Sequence, residues 1–143
     1  MKTRATALIL ATVVLLAGCA SSKDQLLASS KSEVALRSIQ SRTFDTTDRE
    51  RALRTVVATL QDLGFIIEQA SLPLGSVTGS KRGQSSGFYT LRMTVSVQPR
   101  GESQLLVRGN AQYNTEEVAD PELYQRFFAA FSKAMFLDAQ QVD

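Results

Sequence analysis

From Tyr89 to Tyr113 the chain alternates apolar and polar side chains twice over, and this constrains the fold more than any other stretch. Tyr89, Leu91, Met93, Val95 and Val97 occupy one set of positions, with Thr90, Arg92, Thr94, Ser96 and Gln98 between them. After Pro99-Arg100-Gly101, a second set of Leu105, Val107, Gly109, Ala111 and Tyr113 alternates with Leu106, Arg108, Asn110 and Gln112. A period of two marks a strand with one buried face. Two such runs joined by a short Pro/Gly turn read as a β-hairpin. Both apolar sets must face the same side, so residue numbers paired across the hairpin must sum to an even value. A three-residue loop over 99–101 meets that condition. It pairs Gln98 with Glu102, Met93 with Val107 and Val95 with Leu105. Pro99 suits the first turn position and Gly101 the left-handed bulge. The same register puts Arg92 opposite Arg108.

The rest of the chain supplies cover for that hairpin. Thr47-Asp48-Arg49-Glu50 fits a capping box, in which Thr47 and Glu50 satisfy each other's end of a helix. Leu53, Val56, Val57, Leu60 and Leu63 follow at helical spacing, Glu50 and Arg54 stand four apart in the favourable order, and Gly64 supplies a left-handed stop. The spacing predicts a helix over 48–63. A second helix starts at Asp120-Pro121-Glu122, a cap, a first-turn proline and an acid at the positive end. Its stripe of Tyr124, Phe127, Phe128, Phe131 and Met135 reads as core, the alternative being a partner groove or lipid contact. Short strands are predicted over 37–44, 65–70 and 75–81, with a turn at 72–75 and a loop at 82–87. The order is β-α-β-β-β-β-α. It predicts an α+β fold, an antiparallel sheet with two helices packed on one face, helix-grip-like in outline.

The beginning of the chain reads as an export segment. Lys2 and Arg4 form a positive start, Ala7 to Ala17 is an apolar run broken only by Thr12, and the run ends Leu16-Ala17-Gly18-Cys19. That run is too short to span a bilayer, which takes about 20 apolar residues, but suits a signal peptide. The ending resembles the bacterial lipobox. The resemblance implies diacylglycerol transfer to the Cys19 thiol, cleavage before it, and a domain map of signal peptide 1–18, lipidated N-terminus and tether 19–34, and one α+β domain over 35–140. Multiple acyl chains make an anchor long-lived where one is marginal. The residue after Cys19 is Ala20, not Asp, which by the enterobacterial sorting rule favours the outer membrane. Residues 20–33, rich in Ser, Ala and Lys, read as a flexible tether of about 20 Å root-mean-square span.

Composition then excludes chemistry. Lys2 and Arg4 are two of the 16 basic residues; the 14 left after cleavage match the 14 acidic ones, so the remaining chain is formally neutral. Such a domain lacks the global field that draws in nucleic acid. The chain has no His, and Cys19 is its one Cys. An acylated Cys19 leaves no thiol or imidazole for nucleophilic catalysis or a zinc site. Ser80 and Lys81 are adjacent on a predicted strand and point to opposite faces, so they make no Ser-Lys pair. Glu116, Glu117 and Asp120 lack a calcium-loop signature and read as a solvated acidic loop. No catalytic residues, metal ligands or cofactors are expected.

The stretch FDTTDRERALRTVVATLQDLGFIIEQASLPLGSVTGSK, with the terminal ELYQRFFAAFSKAMFLDA, resembles a group of uncharacterised proteobacterial lipoproteins over about residues 37–139. More distantly, Leu63-Gly64-Phe65, a strand, a turn and Gly75-Ser76-Val77 look like the repeated domain of the C lipoprotein of the β-barrel assembly machine. That resemblance implies a helix-grip-like fold and an accessory, non-catalytic role. This chain has one such domain and lacks that family's long docking segment, so membership in the machine does not carry over.

These readings lead to a lipid-anchored, periplasm-facing envelope lipoprotein of the outer membrane. It attaches to the membrane through N-terminal acyl chains and acts as a non-catalytic interaction module for an envelope protein partner. The candidate partner surface is the polar sheet face, with Arg92 and Arg108 flanked by Thr90, Thr94 and Asn110, and with Ser96 and Gln112 beside them. It would bind an acidic partner or anion. The alternative is that nearby carboxylates or solvent neutralise the arginines. A second functional reading is a binding protein for a lipid or small amphiphile between helices and sheet. A cavity lined by Phe127, Phe131, Met93 and Val107 would favour that reading, and a filled core the first.

Overall fold

The computed structural model describes residues 32–82 and 90–140. The expected signal peptide, Cys19, the expected tether up to residue 31, the predicted loop at 83–87 and Tyr89 lie outside the described residues. Contacts divide the chain into two units, Met1–Leu36 and Arg37–Asp143. In the first, residues 32–36 are helical, and the helix (α1) runs on to residue 40. The elements that follow are β1 (Ser41–Phe44), α2 (Arg49–Asp62), β2 (Ile66–Ser71), β3 (Ser76–Arg82), β4 (Thr90–Arg100), β5 (Gln104–Tyr113), β6 (Glu116–Glu117) and α3 (Pro121–Gln140). The sheet is antiparallel throughout, ordered β1-β5-β4-β3-β2, with β6 on β5 as well. The fold is α+β, with helices on one side of the sheet.

Local chemistry explains the helix ends. Asp48, not Thr47, caps α2: its Oδ1 accepts the Arg51 N–H at 2.9 Å. Thr46 Oγ1 accepts the Asp48 N–H at 3.2 Å. Glu50 therefore does not turn back to close a capping box; its carboxylate takes the Arg54 guanidinium at 2.6 Å. At the other end Gly64 has φ +82°. Its N–H reaches Gln61 O at 2.9 Å, and the Phe65 N–H reaches Leu60 O at 2.9 Å. This is the paired 5→2 and 6→1 closure of a Schellman motif. In α3, Asp120 Oδ1 accepts the Glu122 N–H at 2.9 Å, as its position before Pro121 suggests.

The strand expected over 37–44 is only half present. Residues 37–40 are the end of α1, and β1 begins at Ser41. Helix geometry turns Ile39 against the core and buries Gln40, which a strand would place on opposite faces.

The hairpin keeps the expected parity but not the expected register. The loop is Gly101-Glu102-Ser103, with Arg100 opposite Gln104, Met93 opposite Ala111, Val95 opposite Gly109 and Val97 opposite Val107. Arg92 faces Gln112, and Arg108 faces Ser96. Two physical reasons decide this. First, Pro99 lies within β4 at no loss to the ladder. The Val97 N–H points towards β3, bonding Gly75 O at 2.8 Å. Pro99, two residues on, points its nitrogen the same way, past Ser76 where β3 begins. Second, the observed register sets bulky Met93 and Val95 against small Ala111 and Gly109. The expected one would set them against Val107 and Leu105. The space over Gly109 is filled by Met93 and Tyr124.

The helix-side face packs Val77, Leu91, Met93, Val95, Val97, Leu105 and Val107 under Leu53, Val56 and Leu60 of α2 and Tyr124, Phe127, Phe128 and Phe131 of α3. Tyr124, Phe127, Phe128 and Phe131 have no exposed surface, so their stripe is core; Phe136, the fifth aromatic of α3, is exposed. Phe44 meets Phe131 edge-on at 4.9 Å, and Phe127 stacks on Phe131 at 5.9 Å. Between β1 and β6, strand β5 has no strand neighbour on that side. There the buried Tyr124 hydroxyl accepts the Ala111 N–H at 3.2 Å and donates to Val118 O at 2.7 Å. Gln40 closes the knot, donating to the same hydroxyl at 3.3 Å and to Glu117 Oε1 at 2.9 Å. Backbone groups left by the ladder thus find their partner in Tyr124 of α3, which Gln40 of α1 braces.

Candidate functional site

The face of the sheet that none of the described helices covers is built from the polar half of each strand's alternation. Its side chains line up in rows across the strands. One row runs Ser41, Arg108, Ser96, Ser76, Ser71; the next runs Asn110, Thr94, Thr78, Gln69. A third runs Glu117, Gln112, Arg92, Ser80, Ile66. The rows are stitched by short polar contacts: Thr78 and Thr94 hydroxyls lie 3.0 Å apart. Asn110 donates to Glu117 Oε1 at 2.9 Å.

All five residues expected on the partner surface lie on this face. Arg92 and Arg108, however, are not opposed. Arg108 faces Ser96, four residues along β4 from Arg92, or about 13 Å. Arg92 is neutralised instead by Glu68, its Nε 3.0 Å from Oε2. Glu68 reaches it because β2 shifts register between Ile67 and Gln69, an irregularity that re-aims the side chain over β3. Hydrogen bonding from Ser80, then from Arg92, holds the Glu68 carboxyl below the usual glutamate value. Thr90 is spent on the strand end, its N–H bonded to Asn114 Oδ1 at 3.2 Å.

Arg108 keeps its charge available. Its Nε donates to Ser41 Oγ at 3.1 Å. Arg100, read from the sequence as a loop residue, joins it on the same side of the face, with Nη1 on Thr43 Oγ1 at 2.6 Å. Ser41 and Thr43 are two residues apart on one face of β1, so the two anchoring hydroxyls are about 7 Å apart. Among the described residues neither guanidinium has a carboxylate partner. Hydroxyl anchoring fixes a guanidinium in place without cancelling its charge, and leaves its other N–H groups free to form a fork.

No protein-family model matches the chain, and no curated protein matches it. The site's geometry therefore carries the functional argument.

Other expectations resolve at the level of single residues. Ser80 and Lys81 do point to opposite faces, Ser80 towards Glu68 and Lys81 towards Leu63 O at 3.1 Å. Within the acidic run, Glu117 accepts amides from Gln40 and Asn110. Among the described residues no three Asp or Glu side chains gather as a metal site, and no helix is long and apolar enough to cross a membrane. Phe131 and Val107 belong to a filled core, whereas Met93 and Phe127 also border a cavity at the far end of α2.

Proposed function

We propose that this chain is a lipid-anchored, periplasm-facing envelope lipoprotein of the outer membrane, attached through Cys19. It acts as a non-catalytic accessory module that presents its open sheet face to an acidic segment of an envelope protein. The observation that carries this reading is the pair Arg100 and Arg108, held on β1 hydroxyls with no carboxylate partner among the described residues, on the face the helices leave uncovered. Charge placed this way costs little to present, because the hydroxyls orient each guanidinium before a partner arrives. Carboxylates at alternate positions of an extended partner segment would match the spacing of the anchoring hydroxyls. The resemblance to envelope lipoproteins of accessory role belongs to the same proposal.

The test places a photoreactive residue at Ser96 in intact cells and compares the crosslinked species with those of Arg100→Gln and Arg108→Gln. A defined partner band that fades in both variants and sharpens at low salt is expected. A band unchanged by both substitutions overturns the role of the open face. Mass spectrometry of the purified protein tests the anchor: acyl chains on Cys19 are expected, and a bare thiol overturns the localisation.

A further inference from the structure

Both guanidiniums that lack a carboxylate lean towards one edge of the sheet. β1 ends the strand order on that side, with β5 and then β4 behind it. Arg108, on β5, reaches over to Ser41 of β1 at 3.1 Å. Arg100, on β4, reaches past β5 to Thr43 of the same strand at 2.6 Å. Two cations rooted on different strands thus gather over the outermost one. Asp45, which follows β1, does not cancel them: its Oδ1 takes the Gln104 amide at 2.5 Å.

The edge beneath them is open to pairing. β1 keeps unbroken register with β5 from Ser41 to Phe44, and among the described residues no strand pairs with its outer side. In an antiparallel ladder alternate residues turn their N–H and C=O away from the neighbouring strand, which leaves an edge strand with an unused row. The opposite edge, β2, differs: its register shifts between Ile67 and Gln69, and such an irregularity breaks the row. A segment added to β1 would lie about 4.8 Å beyond it. Its side chains beside Ser41 and Thr43 would stand on the open face, next to the two guanidiniums. Those beside Arg42 and Phe44 would turn to the helix side, where Arg42 lies 5.0 Å over the Phe128 ring and Phe44 is only half-buried. Charge decides the occupant. A second copy pairing through β1 would bring its own Arg100 and Arg108 against these, like charge on like. An acidic extended segment brings the opposite charge at the matching two-residue spacing.

We propose that the partner's acidic segment binds as an added strand on β1. Its backbone hydrogen-bonds the outer side of Ser41–Phe44, carboxylates at alternate positions go to Arg108 and Arg100, and an apolar side chain next to them covers the rest of Phe44. This rests on the reading of the open face as a site for an acidic protein segment, and adds where that segment's backbone lies and which residue pattern it carries.

Full-length protein in phosphatidylcholine nanodiscs is titrated with the end-blocked peptide TEVEVT, and amide exchange along β1 is followed by NMR. Slower exchange is expected at alternate amides of Ser41–Phe44, those turned away from β5. TKVKVT, with lysines in place of the acids, is expected to bind at least about tenfold more weakly, and so is TEVEVT to Arg100→Gln or Arg108→Gln. Two further versions of TEVEVT carry N-methyl groups on alternate sets of amides. An added strand pairs through one of its edges, so one version is expected to lose about tenfold in affinity and the other far less. Equal affinity of the two methylated peptides, or unchanged exchange along β1, overturns strand addition. Should TEVEVT still depend on the two arginines in that case, the acidic partner of the open face survives it. No binding of TEVEVT also overturns strand addition, whereas the open face itself stands or falls on the Ser96 crosslink.

Discussion

On its helix side the sheet presents Met93, Val95, Val97 and Val107, none with any exposed surface; on its open side the residues between them, from Arg92 to Gln98, are half-buried or exposed. The same strands make both faces, and the same two-residue period sorts them. The helix side is decided by volume: small Gly109 and Ala111 stand opposite Val95 and Met93, with Tyr124 filling the space above. The open side is decided by polar reach across strands: Glu68 to Arg92, Ser41 to Arg108, Thr43 to Arg100. Stability is thus concentrated on one face, leaving the other free to carry recognition. Truncations on the two sides of the sheet test that division.

The largest effect is expected from Phe131→Ala. Its ring has no exposed surface and touches Phe44 and Phe127. Emptying that volume is expected to cost about 3–5 kcal/mol in the urea-unfolding midpoint. Thr94→Ala, across the sheet, is expected to cost about 0.5 kcal/mol. Comparable losses would show that the open face also holds the fold together.

Next comes the turn that joins the edge strand β2 to β3. Gly75 has φ +67°, and a Cβ there would overlap the Arg49 guanidinium. That guanidinium bonds Val97 O at 3.1 Å and Pro73 O at 3.3 Å, tying α2 to the turn and to β4. Gly75→Ala combines left-handed strain with loss of those bonds, and is expected to cost about 2–3 kcal/mol. Gly64→Ala carries the strain alone, since nothing lies within 4 Å of its added Cβ. About 1 kcal/mol is expected there. Equal costs for the two would mean that Arg49 moves aside freely.

Tyr124→Phe sharpens the comparison in another way, because it removes one atom and no apolar volume. The Ala111 N–H and Val118 O would lose their buried partner. The expected cost is about 1–3 kcal/mol, with faster amide exchange at Ala111 than at Val107.

How much of this was legible in the sequence follows the same division. Periods of 2 and 3.6, Gly64, and Asp120-Pro121 were enough for the order of the five long strands, the helices α2 and α3, and the faces of β4 and β5, but not for α1 or the two-residue β6. Parity fixed which side chains are buried. It could not fix the register, because a slip by any even number of residues keeps every residue on its face. Pro99 and Gly101 suggested a turn two residues too early. What lets Pro99 continue β4 is where β3 begins, a fact about another strand. That shift carried Arg100 out of a supposed loop and onto the open face. Glu68 was invisible as a partner for Arg92 because its reach depends on an irregularity in β2.

The smallest expected effect concerns the ion pair of Glu68 and Arg92 on the open face. Glu68 is held below its usual 4.5 by Ser80 and then Arg92, so in moderate acid the unfolded chain binds a proton that the folded chain does not. Its contribution to stability is therefore fully present above pH 4.5 and is lost as pH falls through the lowered folded value. Wild type is expected to lose slightly more stability than Glu68→Gln between pH 7 and pH 3, in unfolding midpoints measured at low salt. The difference is expected to shrink at 0.5 M salt, because the pair is open to water. Identical pH profiles for the two proteins would mean that Arg92 is not engaged by Glu68. Arg92 would then join Arg100 and Arg108 as available charge, and the anionic footprint of the open face would extend from the β1 edge across to β2.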